Sequence, residues 1–208
     1  MSGRQAQAAR NDQVILDAAR AVFVADPTAP IAAVAERAGV GISALYRRYP
    51  SKEALLRTLC LDGLRLYNRL LEEALADHGD PWDVFAEWLR RTIDADTHSL
   101  TLALAGTFTP TEEMRAEARR SGELNDRLLT RTREAGAIRG DVALTDITMI
   151  LEQVAAIRFG GEERTAQLRR RALGLQLDGL RCPSPAPLPG PPATAEEIHV
   201  RWSTSPVH

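Results

Sequence analysis

Apolar residues recur at intervals of three and four positions along most of the chain, which is the period of an amphipathic α-helix. The first run comprises Ile15, Ala18, Ala19, Val22 and Phe23. Asn11 can serve as an N-cap, so we expect the first helix to begin near residue 12. The alternating pattern of strands is absent from the sequence. The chain is therefore predicted to be all-α, with about nine helices.

Two short helical segments follow the first helix. Pro30 can take the first position of a segment whose apolar face consists of Ile31, Val34, Ala35 and Ala38. Gly39 ends this segment because glycine accepts the left-handed conformation found at helix C-termini. A second segment is expected at residues 42–48. Two short helices joined by a glycine turn predict a helix-turn-helix, braced by the helix before it.

A larger helical body is predicted after residue 51. Ser51 and Asp80 are expected to cap its first two helices, and Thr109, followed by Pro110, is expected to cap the fourth. The arginine run at 169–171 is predicted to form a solvated face. The body helices are expected at about 52–76, 81–95, 99–105, 110–135, 144–158 and 165–180.

The composition changes after Cys182, where seven of the 12 prolines fall in residues 183–208. Proline-rich runs favour polyproline II over helix. Two interpretations of this tail stay open: a disordered segment, or a strap whose Ile198 and Trp202 dock on the body. The sequence therefore divides into a helix-turn-helix head, a helical body and a proline-rich tail, at residues 1–57, 58–181 and 182–208.

The composition excludes several classes of protein. The 208 residues are 44% hydrophobic and 26% charged, as in ordinary globular domains. No apolar run reaches the roughly 18–20 residues of a membrane span, and the first residues lack the apolar core of a signal peptide. We therefore expect a cytoplasmic protein with no membrane partner. Cys60 and Cys182 fit neither a disulfide framework nor a zinc site, so no metal or other cofactor is expected.

The net charge of −2 conceals an uneven distribution. Residues 1–57 carry eight cationic and five anionic side chains, a net charge of +3, and the remainder carries −5. A basic head on an acidic body indicates a polyanion-binding function, although chance scatter would produce the same asymmetry. Lys52 is the single lysine beside 25 arginines.

The helix-turn-helix carries a more specific signal. Residues 35–40 read Ala-Glu-Arg-Ala-Gly-Val, and residues 45–55 read Leu-Tyr-Arg-Arg-Tyr-Pro-Ser-Lys-Glu-Ala-Leu. With the amphipathic helix before them, these residues resemble the DNA-binding signature of the tetracycline-repressor (TetR) family over about residues 11–57. The resemblance implies a homodimeric transcriptional regulator, usually a repressor. Such a protein binds a pseudo-palindromic DNA operator and is released by a small hydrophobic or amphipathic effector.

The resemblance also implies roles for single residues. Tyr46 and Lys52 would contact phosphates, which positions the head without reading sequence. Many relatives carry a serine-lysine-glycine-threonine-like run where this chain has residues 41–44, so no operator sequence can be transferred from them. Tyr49 replaces the usual phenylalanine and is expected in the core. Base reading would fall to Gly41, Ile42, Ser43, Ala44 and one or both of Arg47 and Arg48.

In this family the body holds the effector pocket and the dimer interface. The last two strong helices are expected to pair with their copies in a four-helix interface. His98 and Gln153 are polar groups that could orient a ligand. Aromatic and methionine side chains at helical spacing are also common as plain core. The ligand-binding candidates are Tyr67, Trp82, Phe85, Trp88, His98, Leu102, Phe108, Met114, Met149, Gln153 and Phe159.

Two alternatives belong to other classes of function. A small helical enzyme would need a catalytic or metal-binding constellation, and the four histidines do not provide that spacing; a phosphate-binding glycine loop is also absent. The sequence therefore predicts no enzyme activity. A helical protein–protein adaptor stays open, because nothing in the sequence proves that an effector pocket exists. Salt-sensitive binding to a palindromic duplex would separate a regulator from both.

Overall fold

A computed structural model describes residues 3–181 and 186–199. In these residues no strand forms beyond an isolated antiparallel bridge between Ile138 and Arg181, and no helix is both long and apolar enough to cross a membrane. The predicted all-α fold is confirmed, with one helix more than expected. The helices are α1 (Gly3–Ala25), α2 (Ile31–Ala38), α3 (Ile42–Arg48), α4 (Lys52–Ala76), α5 (Pro81–Asp94), α6 (Thr97–Leu104), α7 (Glu112–Glu134), α8 (Leu144–Ala155), α9 (Glu162–Leu180) and α10 (Ala195–His199).

Two predicted caps are confirmed. The Ser51 hydroxyl accepts a hydrogen bond from the Ala54 N–H at 3.0 Å, at the start of α4. The Asp80 carboxylate accepts from the N–H groups of Trp82 and Asp83 at the start of α5. These bonds satisfy N–H groups that have no partner inside a helix. The starts of α4 and α5 are therefore fixed by local chemistry.

The predicted starts of α1 and α2 were wrong. α1 begins at Gly3, so Asn11 lies within the helix rather than at its cap. The residues before Asn11 include several alanines, glutamines and arginines, all good helix formers, and they extend the helix towards the N-terminus. α2 begins at Ile31, so Pro30 precedes the helix instead of occupying its first position.

The start of α7 also differs from the prediction. Thr111, not Thr109, is the N-cap, and its hydroxyl accepts from the Met114 N–H at 3.2 Å. The helix then begins with Glu112 and Glu113, whose negative charges lie at the positive end of the helix dipole. This arrangement explains why the later threonine is used as the cap.

Two hydrophobic cores are built on the two halves of α4. The first, the head core, packs α1, α2 and α3 against the first half of α4, and it also includes Leu100 and Leu104 of α6. The second, the body core, packs the remainder of α4, from Tyr67 onward, against α5, α7, α8 and α9. The boundary that we place after residue 57 falls inside α4. Head and body therefore share one continuous helix.

The arginine run in α9 is not entirely solvated, which corrects the prediction. Arg169 is only 7% exposed. Its guanidinium donates to the backbone oxygens of Ala155 and Ile157 at 2.6 and 3.1 Å, and to Ser99 Oγ at 3.0 Å. It also forms an ion pair with Asp96 Oδ1 at 2.7 Å. Position 169 falls on the inward stripe of α9, so the helical period places this cation inside.

The proline-rich tail is fastened to the body at residues 186–188. Arg139 and Asp141, between α7 and α8, form an ion pair with an Nε–Oδ1 distance of 2.6 Å. Arg139 donates to the Ala186 backbone oxygen, and the Leu188 N–H donates to Asp141, both at 2.7 Å. The bonds from Arg139 and Leu188 hold the pKa of Asp141 well below its usual range. Residues 186–188 therefore behave as part of a strap.

The end of this tail is partly described. α10 begins with a reciprocal cap, in which Thr194 Oγ1 accepts from the Glu197 N–H and the Glu197 carboxylate accepts from the Thr194 N–H. Ile198 is half-buried. The expected docking of Trp202 lies outside the described residues.

Arg169→Met is expected to lower the free energy of unfolding by about 3–5 kcal/mol, because Asp96 and the carbonyl groups of Ala155 and Ile157 lose the guanidinium donor. Urea titration at a fixed protein concentration measures the change. Arg171→Met is the matched control, since Arg171 is exposed and two positions further along the same helix; a change within about 0.5 kcal/mol is expected there. Equal effects of the two substitutions would contradict the burial of Arg169.

Candidate DNA interface and effector site

The turn between α2 and α3 depends on the backbone conformation of Gly39. Its φ of 65° and ψ of 28° lie in the left-handed region, which glycine adopts without the steric penalty that other residues meet. The Gly39 N–H donates to the Glu36 oxygen at 3.1 Å, and the Val40 N–H donates to the Ala35 oxygen at 3.0 Å. These bonds end α2 and set the direction in which α3 begins.

α3 buries one face and exposes the other. Leu45 is fully buried, and Tyr49 directly after the helix is buried as well, as expected for a core aromatic. The Tyr46 side chain lies on the opposite side and is 47% exposed. The structure thus brings most of the predicted base-reading residues onto one surface. The exposed members are Gly41, Ile42, Ser43, Arg47 and Arg48, and Ala44 is half-buried.

The two arginines at the end of α3 differ in their surroundings. Arg48 forms an ion pair with Asp12 of α1. Within the described residues, Arg47 has neither an ion pair nor a hydrogen bond from its side chain. Arg47 is therefore the freer of the two guanidinium groups to contact a nucleic acid.

Lys52 lies at the start of α4 as predicted, but its ammonium group points at protein atoms. Nζ donates to the backbone oxygens of Pro27 and Ala29, both at 2.8 Å, and it lies 5.0 Å from the centre of the Phe23 ring. The side chain therefore fastens the loop between α1 and α2 to the start of α4. An ammonium group has three N–H donors, so one stays available beyond these two bonds.

Four of the predicted ligand-binding residues come together in the body, and we call them the aromatic cluster: Tyr67, Phe85, Trp88 and His98. The ring of Tyr67 lies 6.0 Å from that of Trp88 and 5.3 Å from that of His98, and Phe85 lies 5.6 Å from Trp88. The Tyr67 hydroxyl donates to Asn125 Oδ1 at 2.9 Å. Burial lowers the pKa of His98 to about 4, so its ring is neutral at pH 7.

Three other candidates lie on the outside of the body, which corrects their assignment to a pocket. Met149 and Phe159 are exposed apolar residues, and Gln153 is exposed as well. The buried stripe of α8 contains Ile147 and Val154, so its remaining positions face outward. Gln153 Oε1 accepts from Gln176 Nε2 of α9 at 3.4 Å, which places both side chains on the same outer surface.

The remaining candidates are also separated from the aromatic cluster. Phe108 and Met114 belong to the head core. Trp82 is half-buried at the edge of the body core, where the Arg181 guanidinium lies 5.2 Å from its ring. The side chain of Leu102 is outside the described residues.

A buried polar chain between α4 and α7 was not predicted. Asn125 Nδ2 donates to the Ser121 backbone oxygen, Ser121 Oγ donates to Asn68 Oδ1, and Asn68 Nδ2 donates to the Glu117 carboxylate. The signal in the sequence was present, because Asn68 and Asn125 interrupt otherwise apolar stripes. With Tyr67, this chain links the aromatic cluster to the surface of α7.

The aromatic cluster lies inside the body: Tyr67, Phe85 and Trp88 are buried, and His98 is half-buried. None of four surface grooves of about 350 to 690 Å³ in the described residues is lined by the rings of the cluster. The groove of about 690 Å³ lies between α1, the turn after α5 and the start of α9. An effector that entered between these rings would displace buried side chains that pack against one another.

Comparison with protein families gives two matches. Residues 15–59 match the family described as bacterial regulatory proteins, tetR family. Residues 80–182 match the C-terminal domain of SbtR-like transcriptional regulators. Together the two matches cover the helix-turn-helix and the body from residue 80 onward, so head and body agree on the same class of protein.

One characterised relative is the HTH-type transcriptional repressor LfrR of Mycolicibacterium smegmatis. The two chains are 38% identical over 86 residues, which is 41% of this chain and 43% of LfrR. The aligned segment thus spans less than half of the length of LfrR.

Solved structures agree with the fold over most of the chain. The TetR regulator SCO0520 of Streptomyces coelicolor superposes with a TM-score of 0.58 at 28% identity, covering 83% of this chain and 99% of SCO0520. LfrR of Mycobacterium smegmatis, solved in complex with proflavine, gives a TM-score of 0.57 at 22% identity, covering 79% and 95% of the two chains. From its helix-turn-helix, its helical body and these matches, the chain belongs to the TetR family of bacterial transcriptional regulators.

Proposed function

We propose that this chain is a homodimeric, sequence-specific DNA-binding repressor that a small-molecule effector releases from its operator in the cytoplasm. The observation that carries the proposal is the orientation of α3. Leu45 anchors this helix to the head core, and Ser43, Tyr46 and Arg47 are exposed on its surface. A short helix held in this way fits the major groove of B-DNA. Family membership supports the same function, and regulators of this family are generally not enzymes.

In the complex, residues 41–44 and Arg47 would read bases, and Tyr46 and Lys52 would bind phosphates. Arg48 is assigned a lesser role than Arg47, because its ion pair with Asp12 would have to break before it could grip a guanine. Two heads related by a two-fold axis would place their α3 helices about 34–36 Å apart, one turn of DNA.

The proposed dimer uses the outer face of α8 and α9. Leu175 is 69% exposed, and Met149 and Phe159 are exposed apolar residues on the same two helices and the loop between them. Exposed apolar side chains favour burial against another surface. A second copy of the same face would bury them in a four-helix arrangement.

Two connections would carry the effector signal from body to head. The first is α4, which contributes Tyr67 to the aromatic cluster and its first half to the head core. The second is the turn at Asp96, whose φ is 49°. Arg20 of α1 donates to the Asp96 backbone oxygen at 3.3 Å, and the Asp96 carboxylate holds Arg169 of α9. An effector that opened the cluster would move α4 and α6 and change the spacing of the heads.

Selection of bound sequences from random duplex DNA tests the proposal. We expect a pseudo-palindromic sequence with half-sites about one helical turn apart, bound in a strongly salt-dependent way. The helical adaptor is the alternative from another class, and it predicts no enrichment of any duplex.

Ser43→Ala is expected to relax the base preference at one position of each half-site, because a hydroxyl on the exposed face of α3 is lost. The same selection experiment on the variant measures this, and a change of about fivefold in preference is expected for one hydrogen bond. A binding profile identical to that of the wild type would remove Ser43 from base reading.

Lys52→Met is expected to weaken binding to all duplexes alike and to reduce the slope of log K against log salt by about one, because one phosphate contact is lost. It should also lower Tm, since the loop between α1 and α2 loses the donor to Pro27 and Ala29. Titrations at several salt concentrations, with thermal unfolding alongside, measure both effects. A lower Tm with an unchanged salt slope would make Lys52 structural only.

Leu175→Glu is expected to yield monomers, because a charge would be buried in the proposed interface. Light scattering after size exclusion gives the mass, and operator affinity should fall at least tenfold because one head cannot span both half-sites. Leu188→Glu is the control, as Leu188 is an exposed leucine in the tail. A dimeric Leu175→Glu variant would refute this interface.

A further inference from the structure

Two polar atoms on α5 are buried without a partner. Trp88 is 3% exposed and Thr92 is 1% exposed, yet Trp88 Nε1 and Thr92 Oγ1 make no hydrogen bond. The two residues are four positions apart, so they share one face of the helix. The other unpartnered buried side-chain atoms in the described residues are Nε atoms of Arg131 and Arg133, whose guanidinium groups are bonded through other nitrogens.

Thr92 differs from three other threonines within the helices. The hydroxyls of Thr58, Thr132 and Thr148 each donate to the backbone oxygen four residues earlier, at 3.1, 2.8 and 3.2 Å. This back-bond is the usual way for a helical threonine to satisfy its hydroxyl. Thr92 does not make it, although it lies inside α5. Its hydroxyl is therefore left without the partner that this position normally provides.

The rings that surround Trp88 are aromatic and carry no charge at pH 7. Trp88 packs against the rings of Tyr67 and Phe85, and the nearby His98 ring is neutral at pH 7 because burial lowers its pKa to about 4. The buried polar side chains of the described residues include no carboxylate, and their one charged member, Arg169, is paired with Asp96. A charged ligand would thus lose its hydration and gain no buried counterion.

We infer that the effector is an uncharged aromatic molecule with a hydrogen-bond acceptor, which enters the aromatic cluster and accepts from Trp88 Nε1. An indole N–H can only donate, so the ligand must supply the acceptor. The Thr92 hydroxyl can donate or accept, and it binds a second polar atom one helical turn away. The inference rests on the proposed function in one respect, that the body takes up an effector.

Three probes of matched ring size test the ligand class. Quinoline is neutral at pH 8 and carries one acceptor nitrogen, naphthalene has no acceptor, and N-methylquinolinium is a permanent cation. Each is titrated into the full-length protein labelled with ¹⁵N, and the indole N–H signals of the three tryptophans are followed. Quinoline is expected to move the Trp88 signal downfield, as hydrogen bonding does. Naphthalene should bind without that shift, and the cation should not bind.

Trp88→Phe keeps an aromatic ring and removes the donor, so it should weaken quinoline binding about tenfold and leave naphthalene binding nearly unchanged. Trp82→Phe is the matched control, because Trp82 lies at the edge of the body core beside Arg181, and no effect is expected. If Trp88→Phe does not fold, the wild-type titration still decides the question.

Two outcomes would overturn the inference. One is a Trp88 signal that quinoline leaves unmoved, and the other is a cation that binds as tightly as quinoline. The titrations contain no DNA, so their result is separate from that of the operator selection. A protein that binds quinoline and no duplex would refute the proposed function and retain this ligand class.

Discussion

The architecture depends on one constraint: two hydrophobic cores are packed on a single helix. α4 has 25 residues and is about 37 Å long. Its first half completes the core of the helix-turn-helix, and its second half lies in the centre of the body. Because packed interiors resist deformation, neither core can shift along α4 without disturbing its own contacts. A displacement of one half of α4 is therefore transmitted to the core around its other half.

Features that arise from neighbouring residues were predictable from the sequence. The period of apolar residues predicted the helices, and the N-caps Ser51 and Asp80 predicted where two of them begin. Gly39 predicted the turn of the helix-turn-helix. The exposed residues of α3 followed in the same way, since Leu45 and Tyr49 determine which face is buried. A short segment with one anchored face leaves little freedom for the others.

Features that depend on distant partners were not predictable. The stripe of α8 shows which residues are buried, but Met149 and Gln153 could be placed only once α9 was packed beside it. In the sequence, Arg169 could not be distinguished from the two arginines that follow it. Its hydrogen-bond acceptors come from α6 and from the end of α8, which are distant in the chain. The Lys52 ammonium group donates to backbone oxygens of a loop more than 20 residues earlier in the chain. In each case tertiary contacts decided the outcome, which local pattern does not record.

The Gly39 turn has one more consequence. A Cβ atom built on Gly39 would meet no atom within 4 Å beyond those of its two chain neighbours, so the site has room for a side chain. The restriction is therefore one of handedness alone: a positive φ is unfavourable for L-residues and favourable for their mirror images. Chemical synthesis could place D-alanine at this position and retain the fold, whereas the 19 other genetically encoded residues would all strain the same turn. The choice of residue at position 39 is thus restricted by the L-configuration of the encoded amino acids rather than by packing.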